Sequence, residues 1–275
     1  MKKKTMKKIV ISLFGLLVIA VFMMPILWIF STSLRLPKDS FKWPPLFFPT
    51  SFHIRNYVEV FEKVPFLMFI LNSLKIAVIV MVGQCLINTM MAYAFSRIEF
   101  KGRDVLFIIV LAGLMVPPQA SIIPLFLVVK NMNAMNHHIA LIMPALMSPL
   151  SVFMIRQSMM TIDRSYDEAA ELDGASKSSI FLRIIVPMCK PSIALVAIMA
   201  FLNSWNDYFR ALIFISDYNK MTIPVGIQLL KGFMGGGSIS IILAGVMMTI
   251  IPPLIVFILG QKNIMKGIRV GGTKG

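Results

Sequence analysis

Five stretches of this 275-residue chain carry no charged side chain: 9–34, 76–96, 105–129, 131–155 and 232–261. Each approaches or exceeds the roughly 20 residues that cross a hydrocarbon core as helix. Only 14% of the residues are charged against 57% apolar, and the charges fall between those runs rather than among them. A soluble globular domain, a disordered chain and a disulfide scaffold are excluded together. The fold class that remains is all-α, a polytopic membrane helical bundle.

The formal charge of +15 belongs to this picture. Basic residues gather at helix ends, where they fix orientation in the bilayer. Lys2, Lys3, Lys4, Lys7 and Lys8 precede the first apolar run, whose length and lack of a small-residue cleavage site distinguish it from a secretory signal. No basic stretch is interleaved with aromatics, so nucleic acid is not an expected partner. Cys85 and Cys189 lie far apart in apolar surroundings, and the adjacent His137 and His138 lack helical spacing. No metal site, cofactor or catalytic residue is expected.

Six spans are predicted near 9–31, 70–96, 105–129, 137–157, 181–215 and 239–262. With both termini cytoplasmic, 17 Lys and Arg fall on the inner side, counting Lys190, and 10 on the outer. Two parts are expected: residues 1–69 as a first helix with an external loop, and 70–275 as the core of the membrane domain. Nine prolines interrupt spans three to six: Pro117, Pro118, Pro124, Pro144, Pro149, Pro187, Pro191, Pro252 and Pro253. Each removes a donor and frees a carbonyl one turn earlier, which hydrocarbon tolerates only where protein or water answers it. Curved helices around a path are the expectation. Gly235-Gly236-Gly237 reads as a flexible external loop.

The longest internal polar stretch joins spans four and five. Ser165 with Glu168 reads as a capping box, predicting a helix from Tyr166. Asp167 and Glu168 suit its first turn, Ala169, Ala170 and Leu172 give a small apolar face, and Gly174 is a left-handed stop. A second helix should begin near Ser176. Two turns are unstable alone, so this element is either a capped linker braced by its own bundle or a handle for a partner.

The run Glu168-Ala169-Ala170-Glu171-Leu172-Asp173-Gly174-Ala175, followed by Ile184-Ile185-Val186-Pro187, resembles the EAA signature of ABC importer permeases. Asn72-Ser73-Leu74, Ala92-Tyr93-Ala94-Phe95-Ser96-Arg97, Phe100-Lys101-Gly102-Arg103, Pro117-Pro118, Trp205-Asn206-Asp207 and the tail from Gly267 to Gly275 continue the resemblance, toward the smaller, maltose-type subunit of carbohydrate importers. Glu171-Leu172 departs from the commonest form of the motif, and the external connection after Lys130 is short. Both leave the substrate open.

The resemblance implies a bacterial cytoplasmic membrane protein working with a second permease subunit, two ATPase subunits and an extracytoplasmic substrate-binding protein, all within membrane lipid. No G-x-x-x-x-G-K-[ST] phosphate cradle is present, so ATP hydrolysis belongs to the partners. The helix carrying Asp167, Glu168, Ala169, Ala170, Leu172, Asp173 and Gly174 would dock on an ATPase, with Glu168 facing it, Ala169 and Ala170 in close contact, and Asp173 stabilising the turn.

Asn203, Ser204, Trp205, Asn206, Asp207 and Tyr208 lie among apolar residues in span five. Polar groups at membrane depth usually face protein or water, and an indole beside amides and a carboxylate suits a small-molecule carbohydrate. Trp205 and Tyr208 would serve equally as interface anchors. Gln119 and Asn88 are further candidates for the path, while Lys75 and Arg210 are expected to snorkel. The leading reading is sugar import. Glycerol phosphate or another polyol derivative is the alternative within the same machinery, and an ion-coupled secondary transporter the alternative of another class.

Overall fold

The computed structural model describes residues 2–36, 39, 48, 51–232 and 238–271, with side chains at 6 and within 9–262. The Gly235–Gly237 loop and the last four residues of the tail lie outside the described residues. All regular structure among the described residues is helical, as the apolar runs required. The chain divides into two compact units, Met1–Leu67 with Gly226–Ile251, and Met68–Val225 with Pro252–Gly275.

In the first unit, α1 (Lys2–Ser33) leaves its apolar segment largely uncovered from Ile9 to Phe30, while Ser31, Thr32 and Ser33 are buried. A helix apolar on every side demands lipid or a protein partner. Its end is held by the short helix α2 (Arg55–Lys63): Asn56 Nδ2 donates to the carbonyls of Ser33 and Arg35 at 2.7 and 2.8 Å. A side-chain amide thus satisfies carbonyls that a helix terminus leaves open.

The second unit is organised along α3 (Phe66–Arg97), the long second span. Span three, expected over 105–129 as a proline-interrupted, curved helix, is parted into two. Helix α4 (Arg103–Ala112) and a 3₁₀ turn end at Met115, and α5 (Ile122–Asn131) begins only after Ser121. Pro117 and Pro118 give the cause. A residue before proline is driven from helical to extended backbone, and Val116 has φ −89° and ψ 114°. Each ten-residue piece spans only about 15 Å.

Span four is also interrupted. Helix α6 (Ile139–Ile142) passes into a 3₁₀ turn at Met143–Ala145, and α7 (Pro149–Met160) restarts after Ser148, whose side chain accepts from the Ser151 amide. Two α3 side chains satisfy the exposed backbone. Gln84 Nε2 donates to Ala145 O at 2.6 Å, while Asn88 reaches Leu146 O and accepts from the Ser148 amide. Gly83 makes room for this approach, since a Cβ there would meet the Leu146 side chain.

After α8 (Ser165–Leu172), the chain runs through α9 (Lys177–Ile180), a π turn over Phe181–Ile185 and α10 (Val186–Met188). It then bends by 77° into α11 (Lys190–Trp205). The run expected as span five is therefore bent near Cys189, with Pro191 in the first turn of α11, where its missing donor costs nothing. It breaks again before α12 (Tyr208–Phe214). Helix α13 (Ile223–Leu229) precedes α14 (Ile239–Gly271), which accommodates Pro252 and Pro253 internally. Among the described residues four helices are long and apolar enough to cross a membrane, five if the bent pair is one span; the broken third run keeps the count below the expected six.

Candidate functional site

Helix α8 stands between α7 and α9 with no buried residue of its own. Its start differs from the sequence reading. No Ser165–Glu168 capping box forms; Ser165 is already the first helical residue, and Asp163 Oδ1 accepts its amide at 2.9 Å. The backbone N–H and hydroxyl of Ser165 hold the Asp163 carboxyl below the usual carboxylate range. Asp163 sits two residues before Ser165, so an Asx turn replaces the box.

The end of α8 is a Schellman turn. Ala175 N–H donates to Ala170 O and Gly174 N–H to Glu171 O, at 2.9 and 3.0 Å, with Gly174 at φ 79°. Ser176 then caps α9 by accepting from Ser179 N–H.

The expected docking residues divide between two faces. Tyr166, Glu168, Ala169, Leu172 and Asp173 are exposed, Leu172 to 90%. Asp167 and Ala170, expected with the other docking residues, turn inward instead. Ala170 packs with Ala175 and Ile162 against the cluster of Ala92, Ile155, Met159, Ile180 and Ile185. Asp167 Oδ2 lies 2.8 Å from Arg97 Nη1. A two-turn helix offers one stripe to its support, and residues 167 and 170 share it. A groove of about 430 Å³ runs beside this helix, lined by Tyr93, Arg97, Glu99, Arg164, Glu168 and Lys177 among others.

The second candidate region is a cavity of about 880 Å³ against α3, bounded by the breaks in spans three and four and by the α11–α12 junction. Gln119, Asn203, Asn206, Asp207 and Tyr208 line it, as do Gln84 and Arg210. Asp207 caps α12 by accepting from Arg210 N–H, and its carboxylate lies 2.6 Å from Arg210 Nε. Asn206 Nδ2 turns back to Leu202 O.

Two expected path residues lie elsewhere. Trp205 is 2% exposed and stacks on Phe201, with ring centroids 5.8 Å apart. Its indole is spent on the core. Asn88 is fully buried and occupied by the break in span four. Conversely, Gln84 and Arg210 reach the wall. Gln84 lies one turn before Asn88 on the same helical face, a spacing from which it could have been found. Arg210 is not a snorkelling cation but the partner of Asp207. Lys75 borders a separate cleft with His137, His138 and Lys220. No group of three metal-ligating side chains converges among the described residues.

Interrupted apolar spans around a polar cavity, with a short exposed helix braced at one end, define a helical membrane permease. A family model, the binding-protein-dependent transport system inner membrane component, matches residues 86–265. The chain belongs to that family, and the resemblance drawn from the EAA run holds. It is 34% identical over 232 residues to the arabinooligosaccharides transport system permease protein AraQ of Halalkalibacterium halodurans, covering 84% of this chain and 82% of that one. It is 32% identical over 280 residues to the trehalose/maltose transport system permease protein MalG of Thermococcus litoralis, covering 100% of each. A crystal structure of a bacterial ABC transporter involved in the import of the acidic polysaccharide alginate superposes with a TM-score of 0.80 at 22% identity, covering 95% of this chain and 98% of that chain, a likeness of fold. The chain is a noncatalytic permease component of an ABC importer, located in a membrane.

Proposed function

We propose that this chain, with a second permease subunit, forms the path by which a sugar or oligosaccharide enters the cell, with both termini cytoplasmic. Two ATPase subunits bind beneath the pair, and an extracytoplasmic binding protein delivers solute from above. The outward face of α8, with Glu168, Ala169, Leu172 and Asp173, is the handle on which an ATPase acts. Closure of the ATPases on ATP moves the permease halves as bodies and switches the access of the cavity.

The observation that carries this reading is the exposure of Leu172 on a helix held only along its opposite stripe. A large apolar side chain presented by a braced, capped helix is what a docking element requires and what a linker does not. The cavity supports a neutral, hydroxyl-rich solute over a phosphate ester. Its amides Gln119 and Asn203 supply donors and acceptors, while the Arg210 guanidinium is already neutralised by Asp207. The names of the relatives, arabinooligosaccharides and trehalose/maltose, agree with that chemistry. Ion-gradient coupling would call for a titratable carboxylate free to change partner, and Asp207 is held by Arg210.

The test is affinity purification of the tagged chain from its native membranes, followed by reconstitution with every protein that copurifies. ATP-dependent accumulation of a labelled oligosaccharide from a panel, absent without the copurifying ATPase, is the expected result. Accumulation by vesicles holding this chain alone would overturn the reading.

A further inference from the structure

Arg97 is the last residue of α3, and its side chain is only 7% exposed. Its guanidinium bonds two carbonyls and pairs with one carboxylate, on two other segments. Nη2 donates to Met159 O at 2.9 Å and to Ile162 O at 2.8 Å, both at the C-terminal end of α7 and the turn beyond it. Nη1 lies 2.8 Å from Asp167 Oδ2 on α8. Carbonyls at a helix C-terminus are unanswered and carry the negative end of the dipole, so a buried cation there is favoured twice.

Helix α8 is otherwise tied to this unit by the turns at each end, by the packing of Ala170 and by a solvent-screened pair between Arg164 and Glu99 at 3.4 Å. Turns can flex when their ends are pushed. A planar guanidinium whose Nη2 is already fixed to two carbonyls at the end of α7 cannot turn its Nη1 after Asp167 without dragging α3 and α7 with it. From this geometry we infer that Arg97 is the positioning residue that makes α8, the end of α7 and the end of α3 one rigid lever. The inference rests on the reading of α8 as the ATPase handle and adds the link by which its displacement reaches spans two and four. Both of those spans line the cavity, through Gln84 on α3 and Ser148 and Pro149 at the start of α7. The turns alone would let ATP hydrolysis shake α8 without moving the wall.

The experiment uses the complete complex purified from native membranes, in vesicles, with Ser121→Cys as a reporter on the cavity wall. Its reaction rate with a membrane-impermeant maleimide is read without nucleotide and with ATP plus vanadate, against a control lacking the reporter. ATP hydrolysis is measured in parallel. In the parent complex the maleimide rate should change about tenfold or more between the two states, the scale of an ordinary coupling between sites. Asp167→Asn keeps the Arg97 bonds to α7 and removes the charge that holds α8. It should retain ATPase binding and at least half the hydrolysis while the change in rate shrinks to less than about threefold. Arg97→Lys keeps the charge without the three-way geometry and should fall between.

A merely structural role for the pair would lower yield and hydrolysis together and leave the surviving complex switching normally. Normal switching in Asp167→Asn overturns the lever, even if Arg97→Ala fails to assemble. Absence of any ATPase in the parent complex overturns the handle reading as well, so the two failures are distinguishable.

Discussion

Arg97 and Arg156 cap each other's helices. Arg97, at the end of α3, donates to Met159 O at the end of α7; Arg156, in the last turns of α7, donates through Nε to Phe95 O of α3 at 3.1 Å. The Arg156 guanidinium also lies 4.1 Å from the centre of the Phe107 ring on α4. Two parallel helix ends, each with open carbonyls, are therefore closed by exchange rather than by water. Arg156→Ala removes a charge-assisted hydrogen bond and a ring contact, and should destabilise the protein by about 2–3 kcal/mol. Arg156→Lys should recover less than half of that, since an ammonium cannot stack and fork at once. Thermal unfolding in detergent, followed by size-exclusion recovery, measures both.

Gly174→Val should weaken ATPase copurification while membrane insertion is unaffected. An added Cβ meets no atom within 4 Å, so the cost lies entirely in the φ of 79°. A left-handed residue other than glycine costs about 1–2 kcal/mol, and branching adds to it. Gly174→Asn should behave far more nearly as the parent, because asparagine visits this conformation. Equal behaviour of the valine and asparagine variants would count against the turn as the cause.

The cavity predictions separate packing from solute contact. Trp205→Ala should lower thermal stability by about 3–5 kcal/mol through loss of a buried ring. Its effect on the affinity for solute in the surviving complex should be small. Gln119→Ala should do the reverse, leaving stability within about 0.5 kcal/mol while raising the solute concentration needed for half-maximal uptake.

Asp207 and Arg210 should show strong coupling in a double-mutant cycle. The side chains are 15% and 25% exposed, so solvent screening reduces the pair below the fully buried limit. Arg210→Gln alone leaves a largely buried carboxylate without its cation and should cost about 1–3 kcal/mol, whereas adding Asp207→Asn should restore part of the loss. Additive losses in thermal unfolding would show that the ion pair contributes nothing beyond its members.

The class and the short helix α8 were legible because they rest on local features. Charge-free runs set the membrane bundle, and Gly174 after Glu168-Ala169-Ala170 marked the helix and its stop. Three things were not. Proline marked where spans three and four bend, but whether a helix curves or parts depends on who answers the freed backbone, and Gln84 and Asn88 lie some sixty residues earlier. Ser165 and Asp163 both suit an N-terminus, and spacing does not say which oxygen arrives first. Trp205 can face a cavity or a core with the same sequence around it, and Phe201 one turn earlier decided it.

The amides of Gln84 and Asn88 have a consequence for adaptation. Because they, rather than a bound molecule, complete the backbone at the gap before α7, that wall keeps its contour when the chamber stands empty. Solute preference can therefore be retuned at Gln119 and Asn203, which no such scaffolding duty constrains, without rebuilding the chamber itself.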